Sequence, residues 1–216
     1  MTDLSRYPYF NALLGGHHAY LDGTVFNVLS SVLSRDPAGE KCVFELGCGN
    51  GAFANAMSER GYTVTAIDPS ISGIAHAKES SPHIAFHAAS AYDDLRGDFG
   101  EFDAVVSLEV VEHLFEPRKF AASVFNLLKP EGVAIISTPY HSYFKNLVLA
   151  VSGKMDAHFT VLWDYGHIKF WSMKTLRLLL LEAGFEDVRF LRVGRVPVLA
   201  KSMIAVAMRP PSRPRK

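Results

Sequence analysis

The stretch Glu45-Leu46-Gly47-Cys48-Gly49-Asn50-Gly51 sets alternating glycines behind a carboxylate, and Asp68 follows about twenty residues later. A glycine at such a turn lets backbone amides approach a nucleotide, because no side chain intervenes. A carboxylate at the position of Asp68 can accept hydrogen bonds from two ribose hydroxyls. Gly47, Gly49 and Ala52 also satisfy the dinucleotide pattern G-x-G-x-x-G/A, so an NAD-dependent oxidoreductase is a rival reading. A second chemistry comes from His113, His141 and His167, since imidazole exchanges protons near neutral pH and suits removal of a hydroxyl proton.

Glu45 separates the two nucleotide readings. A carboxylate two residues before the first glycine would face the negative pyrophosphate of a dinucleotide, which is repulsive. S-adenosylmethionine instead brings an ammonium and a sulfonium to that place, and a nearby carboxylate lowers their energy. Metal chemistry is not expected. His17-His18, Asp156, His158, Asp164 and His167 are scattered along the chain, and magnesium prefers carboxylate and water oxygens to imidazole.

The elements that position these groups can be read from periodicity. Short β-branched runs alternate with longer helical patterns, which predicts an α/β fold with a mostly parallel sheet. A helix from about Tyr20 to Ser34, ended by Asp36-Pro37 and Gly39, precedes a first strand over Cys42–Leu46. The glycine loop leads into a helix over Ala52–Arg60, a second strand over Tyr62–Ile67 ending on Asp68-Pro69, and a helix over Ile71–Glu79. Strands follow over His83–His87 and Phe102–Ser107, the latter apolar enough for burial on both faces. A helix over Pro117–Leu128 is expected to stop in a turn at Lys129-Pro130-Glu131-Gly132 before a fifth strand over Val133–Ser137. A helix over Met173–Ala183 and strands over Phe185–Val193 and Val198–Met208 complete the series. The segment 140–170 breaks the rhythm and is rich in apolar side chains, as expected of a lid or substrate wall. Tyr7, Tyr9 and Tyr20 are placed to close the same pocket over the donor.

Composition bounds the partners. The 216 residues suit one domain, taken as 1–208, with the proline-rich basic residues 209–216 as a solvated, disordered tail. Twenty-two basic side chains balance 22 acidic ones, leaving no global field to collect nucleic acid. The two cysteines fit neither a disulfide framework nor a zinc site, which favours the cytoplasm. No stretch reaches the ~18 apolar residues of a membrane span, although peripheral contact through the insert stays open. A small-molecule acceptor and a monomer or homodimer are expected.

Further motifs stand in order: Val64-Thr65-Ala66-Ile67-Asp68, Phe102-Asp103-Ala104-Val105-Val106, Leu108-Glu109-Val110-Val111-Glu112-His113, Leu127-Leu128-Lys129-Pro130-Glu131-Gly132, Ser137-Thr138-Pro139, and Gly166-His167-Ile168-Lys169-Phe170-Trp171-Ser172. With the glycine loop they resemble the class I S-adenosylmethionine-dependent methyltransferases, and most closely the branch of the ubiquinone-biosynthesis O-methyltransferases. The resemblance implies a Rossmann-like seven-stranded sheet, mostly parallel, with helices on both faces and the lid-like insert after strand five. It also implies S-adenosylmethionine as cofactor and S-adenosylhomocysteine as product. Gly47, Cys48 and Gly49 would then underlie the methionine and ribose, Asp68 and Pro69 the ribose diol, and Leu108 with Glu109 the methionyl part. The acid that often takes the adenine amino group is replaced by Ala88-Ala89-Ser90-Ala91, so Ser90 and Ala91 are the expected adenine contacts. His167 begins a motif typical of the branch and is the preferred base or acceptor holder, ahead of His113 and His141. O-methylation of a small, partly apolar molecule is the leading expectation, with N- or C-methylation as the alternative within the fold.

Overall fold

The computed structural model describes residues 19–33, 39–159 and 161–212. The chain runs α1 (Ala19–Leu33), β1 (Cys42–Leu46), α2 (Ala52–Ser58), β2 (Thr63–Asp68), α3 (Ile71–Ser80), β3 (Ala85–Ala88), α4 (Leu95–Phe99) and β4 (Phe102–Leu108). It continues through a 3-10 turn at Val111–His113, α5 (Pro117–Leu127), β5 (Leu128–Pro139), α6 (Tyr143–Val151), α7 (Met155–Phe159), α8 (Met173–Glu182), β6 (Glu186–Val193) and β7 (Ser202–Met208).

The strands form one seven-stranded sheet in the order β3-β2-β1-β4-β5-β7-β6, parallel except for β7, which pairs antiparallel with both β5 and β6. The alternation of side chains along each strand divides the core into two layers. Phe44 and Leu46 of β1 pack on one face with Phe120, Leu127, Leu176 and Leu180 of α5 and α8. Val43 packs on the other face with Leu21, Val25, Leu29 and Met57 of α1 and α2. From β1 the chain winds outward to β3 and then returns to lay β4 on the far side of β1. The sheet order therefore reverses between β1 and β4, and a crevice opens past their carboxyl ends. The glycine loop leaves β1 and Glu109 follows β4 at this point.

Four sequence expectations are corrected. Lys129-Pro130-Glu131-Gly132 is a bulged part of β5 rather than a turn outside it: the register shifts there, Glu131 takes a left-handed φ of 65°, and Leu128 already pairs with Phe102. The last strand starts at Ser202 instead of Val198, because Pro197–Leu199 forms a 3-10 turn. Helix α4 was not expected; the Asp94 side chain caps it by accepting from the Gly97 amide. Arg209, assigned to the solvated tail, is anchored: its amide donates to Gly132 O at 2.9 Å and its carbonyl accepts from Glu131 N at 3.0 Å. Its guanidinium reaches Glu101 and the Leu128 carbonyl and lies over the Phe125 ring. Residues 213–216 lie outside the described residues, as do Asp36-Pro37, Tyr7, Tyr9 and His17-His18.

The 140–170 segment holds α6 and α7, neither of which has a buried residue. Tyr143, Phe144, Leu147 and Val151 of α6 all remain exposed. Lys145 ties the insert to the body, donating from Nζ to Tyr140 O at 2.8 Å and Ala200 O at 3.2 Å. Among the described residues, no helix is long and apolar enough to cross a membrane.

Candidate active site

The glycine loop is folded back against the end of β2. The amides of Gly47 and Cys48 both donate to Ile67 O, at 2.8 and 2.9 Å, and Gly49 N donates to Asp68 Oδ2 at 2.9 Å. The other Asp68 oxygen accepts from Ser70 N at 2.8 Å, so one carboxylate clamps the loop to the Pro69-Ser70 entry of α3. Gly47 has a φ of 89°, and a Cβ there would stand 2.4 Å from Val110 Cγ2, so the loop and the segment after β4 touch only because this residue is glycine. Gly73 plays a matching part that sequence reading missed, since a Cβ on it would meet Gly49 O at 2.8 Å.

Glu45 is buried at the end of β1, and its Oε2 has no hydrogen-bond partner. Burial, with the neighbouring Asp68 charge adding to it, pushes its pKa up to about 8, while the Ala54 amide on α2 acts the other way. A carboxyl in that state is a reservoir for a positive ligand group. The Cys48 thiol is also pushed up, first by burial and then by Glu45 and Asp68, so it stays protonated and packs as an apolar side chain. Ser90 and Ala91 follow β3; Tyr92 N donates to Ser90 Oγ at 3.2 Å and Ser90 N donates to Asp93 Oδ2 at 2.7 Å. Asp93, absent from the sequence expectations, therefore shapes the turn that presents Ser90.

Leu108 ends β4, and Glu109 after it takes a left-handed φ of 55°, a conformation that costs an L-residue roughly 1–2 kcal/mol. The side chain explains why it is held there. Ser137 Oγ donates to Glu109 Oε1 at 2.7 Å and Ser202 Oγ to Oε2 at 3.2 Å, while Tyr20 OH lies 2.7 Å from Ser202 Oγ. Tyr20 thus joins α1 to the crevice through this chain. Burial raises the pKa of Glu109 to about 7 even against those serine hydrogen bonds.

His113 and His167 are brought together, with ring centroids 4.9 Å apart and planes at 67°. His113 Nδ1 is 2.9 Å from Tyr165 O and 3.2 Å from Gly166 O, so Nδ1 carries the proton and Nε2 is the free acceptor. Glu112 joins them: one ligand atom from each of Glu112, His113 and His167 lies within 4.8 Å of the others. Glu112 is 1% exposed and neither of its carboxylate oxygens has a hydrogen-bond partner; the nearby Thr138 hydroxyl falls outside bonding geometry. Burial, reinforced by Glu109, holds its pKa well above the usual carboxylate range. Burial also lowers His167 to about 4, with repulsion from His113, His141 and His158 adding to it, so the ring is neutral at physiological pH. His167 is therefore a good lone-pair donor and a weak base.

His141 belongs to a different cluster. Its ring meets His158 at 5.7 Å, Phe170 at 5.2 Å and Phe159 at 6.0 Å, with Nδ1 3.3 Å from Asn146 Oδ1. Desolvation lowers it to about 4. The sequence reading named His113 and His167 but passed over Glu112, whose signal was an acid in the otherwise apolar run Val110-Val111-Glu112-His113.

A family model described as "Methyltransferase domain" matches residues 19–189. Among curated relatives, the ubiquinone biosynthesis O-methyltransferase of Thiobacillus denitrificans is 31% identical over 157 residues, covering 71% of this chain and 68% of its own. That of Caulobacter sp. strain K31 is 35% identical over 125 residues, 56% of this chain and 48% of its own, so the chain spans about half the length of some of these relatives. Among solved structures, magnesium protoporphyrin IX methyltransferase from Synechocystis PCC 6803 with bound SAH superposes with a TM-score of 0.65 at 18% identity, covering 93% of this chain and 88% of that one. The CurJ carbon methyltransferase does so with a TM-score of 0.70 at 14% identity, covering 97% and 61%. These two share the fold.

Proposed function

The chain belongs to the methyltransferase-domain family, of the class I S-adenosylmethionine-dependent kind, and from that premise we propose that it methylates a hydroxyl oxygen of a small, partly apolar molecule. The observation that carries the donor half is Glu45, a buried carboxyl with an unpartnered oxygen beside a glycine loop that Asp68 clamps. An ammonium group supplies the missing partner for Glu45, and the remaining lone pairs of Asp68 suit a ribose diol. Gly47 to Gly49 lie under the methionine and ribose, Leu108, Glu109 and Tyr20 flank the methionyl part, and Ser90 with Ala91 faces adenine. The acceptor stands at His113 and His167, with His141 and the insert walling the approach. Names of relatives ending in O-methyltransferase support oxygen as the acceptor atom. Two free cysteines support a reducing compartment, the cytoplasm.

Transfer is an in-line displacement at the methyl carbon, so the residues need to align acceptor and sulfonium and help the hydroxyl lose its proton. Calorimetric titration of the purified protein with S-adenosylmethionine, S-adenosylhomocysteine and NAD tests the donor: the first two bind, and binding of NAD alone overturns the reading. For the acceptor side, His167→Ala is expected to keep donor affinity and slow turnover; wild-type turnover removes His167 from the acceptor site.

A further inference from the structure

Two cations stand together beside the crevice without an acid to answer them. We propose that Lys145 and Arg195 form a binding site for an anionic group of the acceptor, a carboxylate or a phosphate, set apart from the atom that takes the methyl group. The inference narrows the class of acceptor within the methyltransferase reading above and rests on that reading.

Lys145 belongs to α6 and Arg195 to the turn after β6, and the fold brings the two segments to one place. Lys145 is half-buried, and its Nζ donates to Tyr140 O at 2.8 Å and Ala200 O at 3.2 Å. An ammonium has three donors, so one N–H stays uncommitted on a cation whose position is already fixed. Ala200 closes the Pro197–Leu199 turn, and Arg195 stands exposed just before that turn. The segment is pressed against the crevice at Gly194. This residue has a φ of 89°, and a Cβ on it would stand 2.9 Å from Lys201 Cβ and 3.0 Å from Tyr20 Cδ2. Tyr20 in turn begins the line of hydroxyls that ends on Glu109. Burial lowers the pKa of Lys145 and the Arg195 charge lowers it further, while Glu109 acts the other way.

Elsewhere on the molecule cations find acids: Arg118 pairs with Glu182, Lys119 with Glu116 and Lys129 with Asp103. Among the described residues, Lys145 and Arg195 make no ion pair, and the Arg195 side chain makes no hydrogen bond. The chain as a whole balances 22 basic groups with 22 acidic ones, so the surplus here is local. Holding like charges together costs free energy that a bound anion offsets. A guanidinium takes carboxylate or phosphate through two parallel N–H bonds, and an ammonium adds a point charge. Rings lead from this pair towards the proposed acceptor histidines. His158 is depressed first by burial and then by Lys145 and Arg195, and His158 with His141 bears in turn on His167. His141 stacks on Phe159, which meets Phe170 edge-on at 4.9 Å. A molecule with an acid at one end of an apolar body matches this sequence of cations and rings.

The test uses the full chain with S-adenosylhomocysteine added, titrated calorimetrically with benzoate, phenyl phosphate and benzyl alcohol, three probes that share one ring. At least one of the two acids is expected to saturate the protein and benzyl alcohol is not; the tighter acid identifies the group the site takes. Arg195→Ala, at an exposed position, should weaken that acid by about tenfold or more, and Arg195→Glu should abolish its binding. Lys145→Met should weaken it likewise, whereas Lys78→Ala, on α3 at the opposite end of the sheet, leaves it unchanged. S-adenosylhomocysteine affinity measured on the same samples reports the donor site and the fold separately. Saturation by neither acid, equal affinity in Arg195→Ala, or benzyl alcohol as tight as benzoate overturns the anion site. Capture by phosphatidylglycerol vesicles that depends on Arg195, with neither acid saturating, also overturns it and assigns the cations to a membrane surface. Failure of S-adenosylhomocysteine to bind, with acid binding intact, overturns the donor reading instead.

Discussion

Asp68→Asn is the most informative single change, because the two oxygens of Asp68 do two jobs. In the structure each accepts one backbone amide, from Gly49 at 2.9 Å and Ser70 at 2.8 Å, and each retains a lone pair for a ribose hydroxyl. Asparagine keeps the shape but replaces one acceptor oxygen by a donor, so one amide loses its partner and one diol hydroxyl loses its acceptor. A hydrogen bond to a charged group contributes about 1.5–3 kcal/mol. The lost amide bond should lower the melting temperature by about 3–12 °C, at about 2–4 °C per kcal/mol for a chain of this size. The lost diol bond should weaken S-adenosylhomocysteine by about 10- to 150-fold. Thermal melts followed by calorimetric titration separate the two. A lower melting temperature with unchanged affinity refutes the diol role and leaves Asp68 as a loop clamp. If neither moves, the clamp itself is refuted.

Two further outcomes follow from the same crevice. The raised pKa of Glu45, about 8 against an ordinary 4.5, means that its protonated form is favoured by folding; the stability this contributes is full below 4.5 and is lost as pH rises through about 8. An ammonium beside it reverses the shift, so donor binding between about pH 5.5 and 7 should release a proton and tighten with rising pH, a trend Glu45→Gln abolishes; calorimetry in buffers of different ionisation heat that detects no proton release contradicts this. Gly51→Ala puts a Cβ 2.6 Å from Phe86 Cζ at a φ of 78°, so overpacking and left-handed strain together cost about 2–5 kcal/mol. Gly61→Ala, at a φ of 85° with nothing within 4 Å, carries only the strain of about 1–2 kcal/mol. Equal melting temperatures for the two variants would show that Phe86 yields to the loop.

The parts of the fold that sequence made legible are those where one residue type answers one local demand. The strands β1 and β4 emerge as apolar runs because they are largely buried on both faces, whereas β2 emerges from buried residues alternating with more exposed ones, and the observed bounds of all three differ from the expected ones by a residue or so. Helix α4 was missed because five residues hold too little periodicity to stand out. Pro130 and Gly132 read as a chain reversal, yet β4 and β7 flank the segment and draw it into the sheet as a bulge, with Arg209 pairing back to Gly132. Tertiary pairing there overrides a local turn signal.

The same contrast explains why the two halves of the crevice differ in legibility. The proposed donor half is made by backbone: glycines at left-handed φ, amides turned onto Ile67 O, and an acid at the end of the next strand, all within one β-α-β unit. Such a unit writes itself into spacing. The proposed acceptor half is made where a turn after β4 meets a segment after β5, and nothing in the spacing of Glu112, His113 and His167 records that meeting. What joins them is a pair of amides, Ile168 and Lys169, converging on the carbonyl of Glu112. A backbone contact has almost no residue signature, because any residue but proline could stand at 168 and 169 and make it. The one legible trace is energetic rather than geometric. A carboxylate set in the apolar run before His113 is tolerated only if the fold brings polar groups to it, and the structure places His113 and His167 beside it.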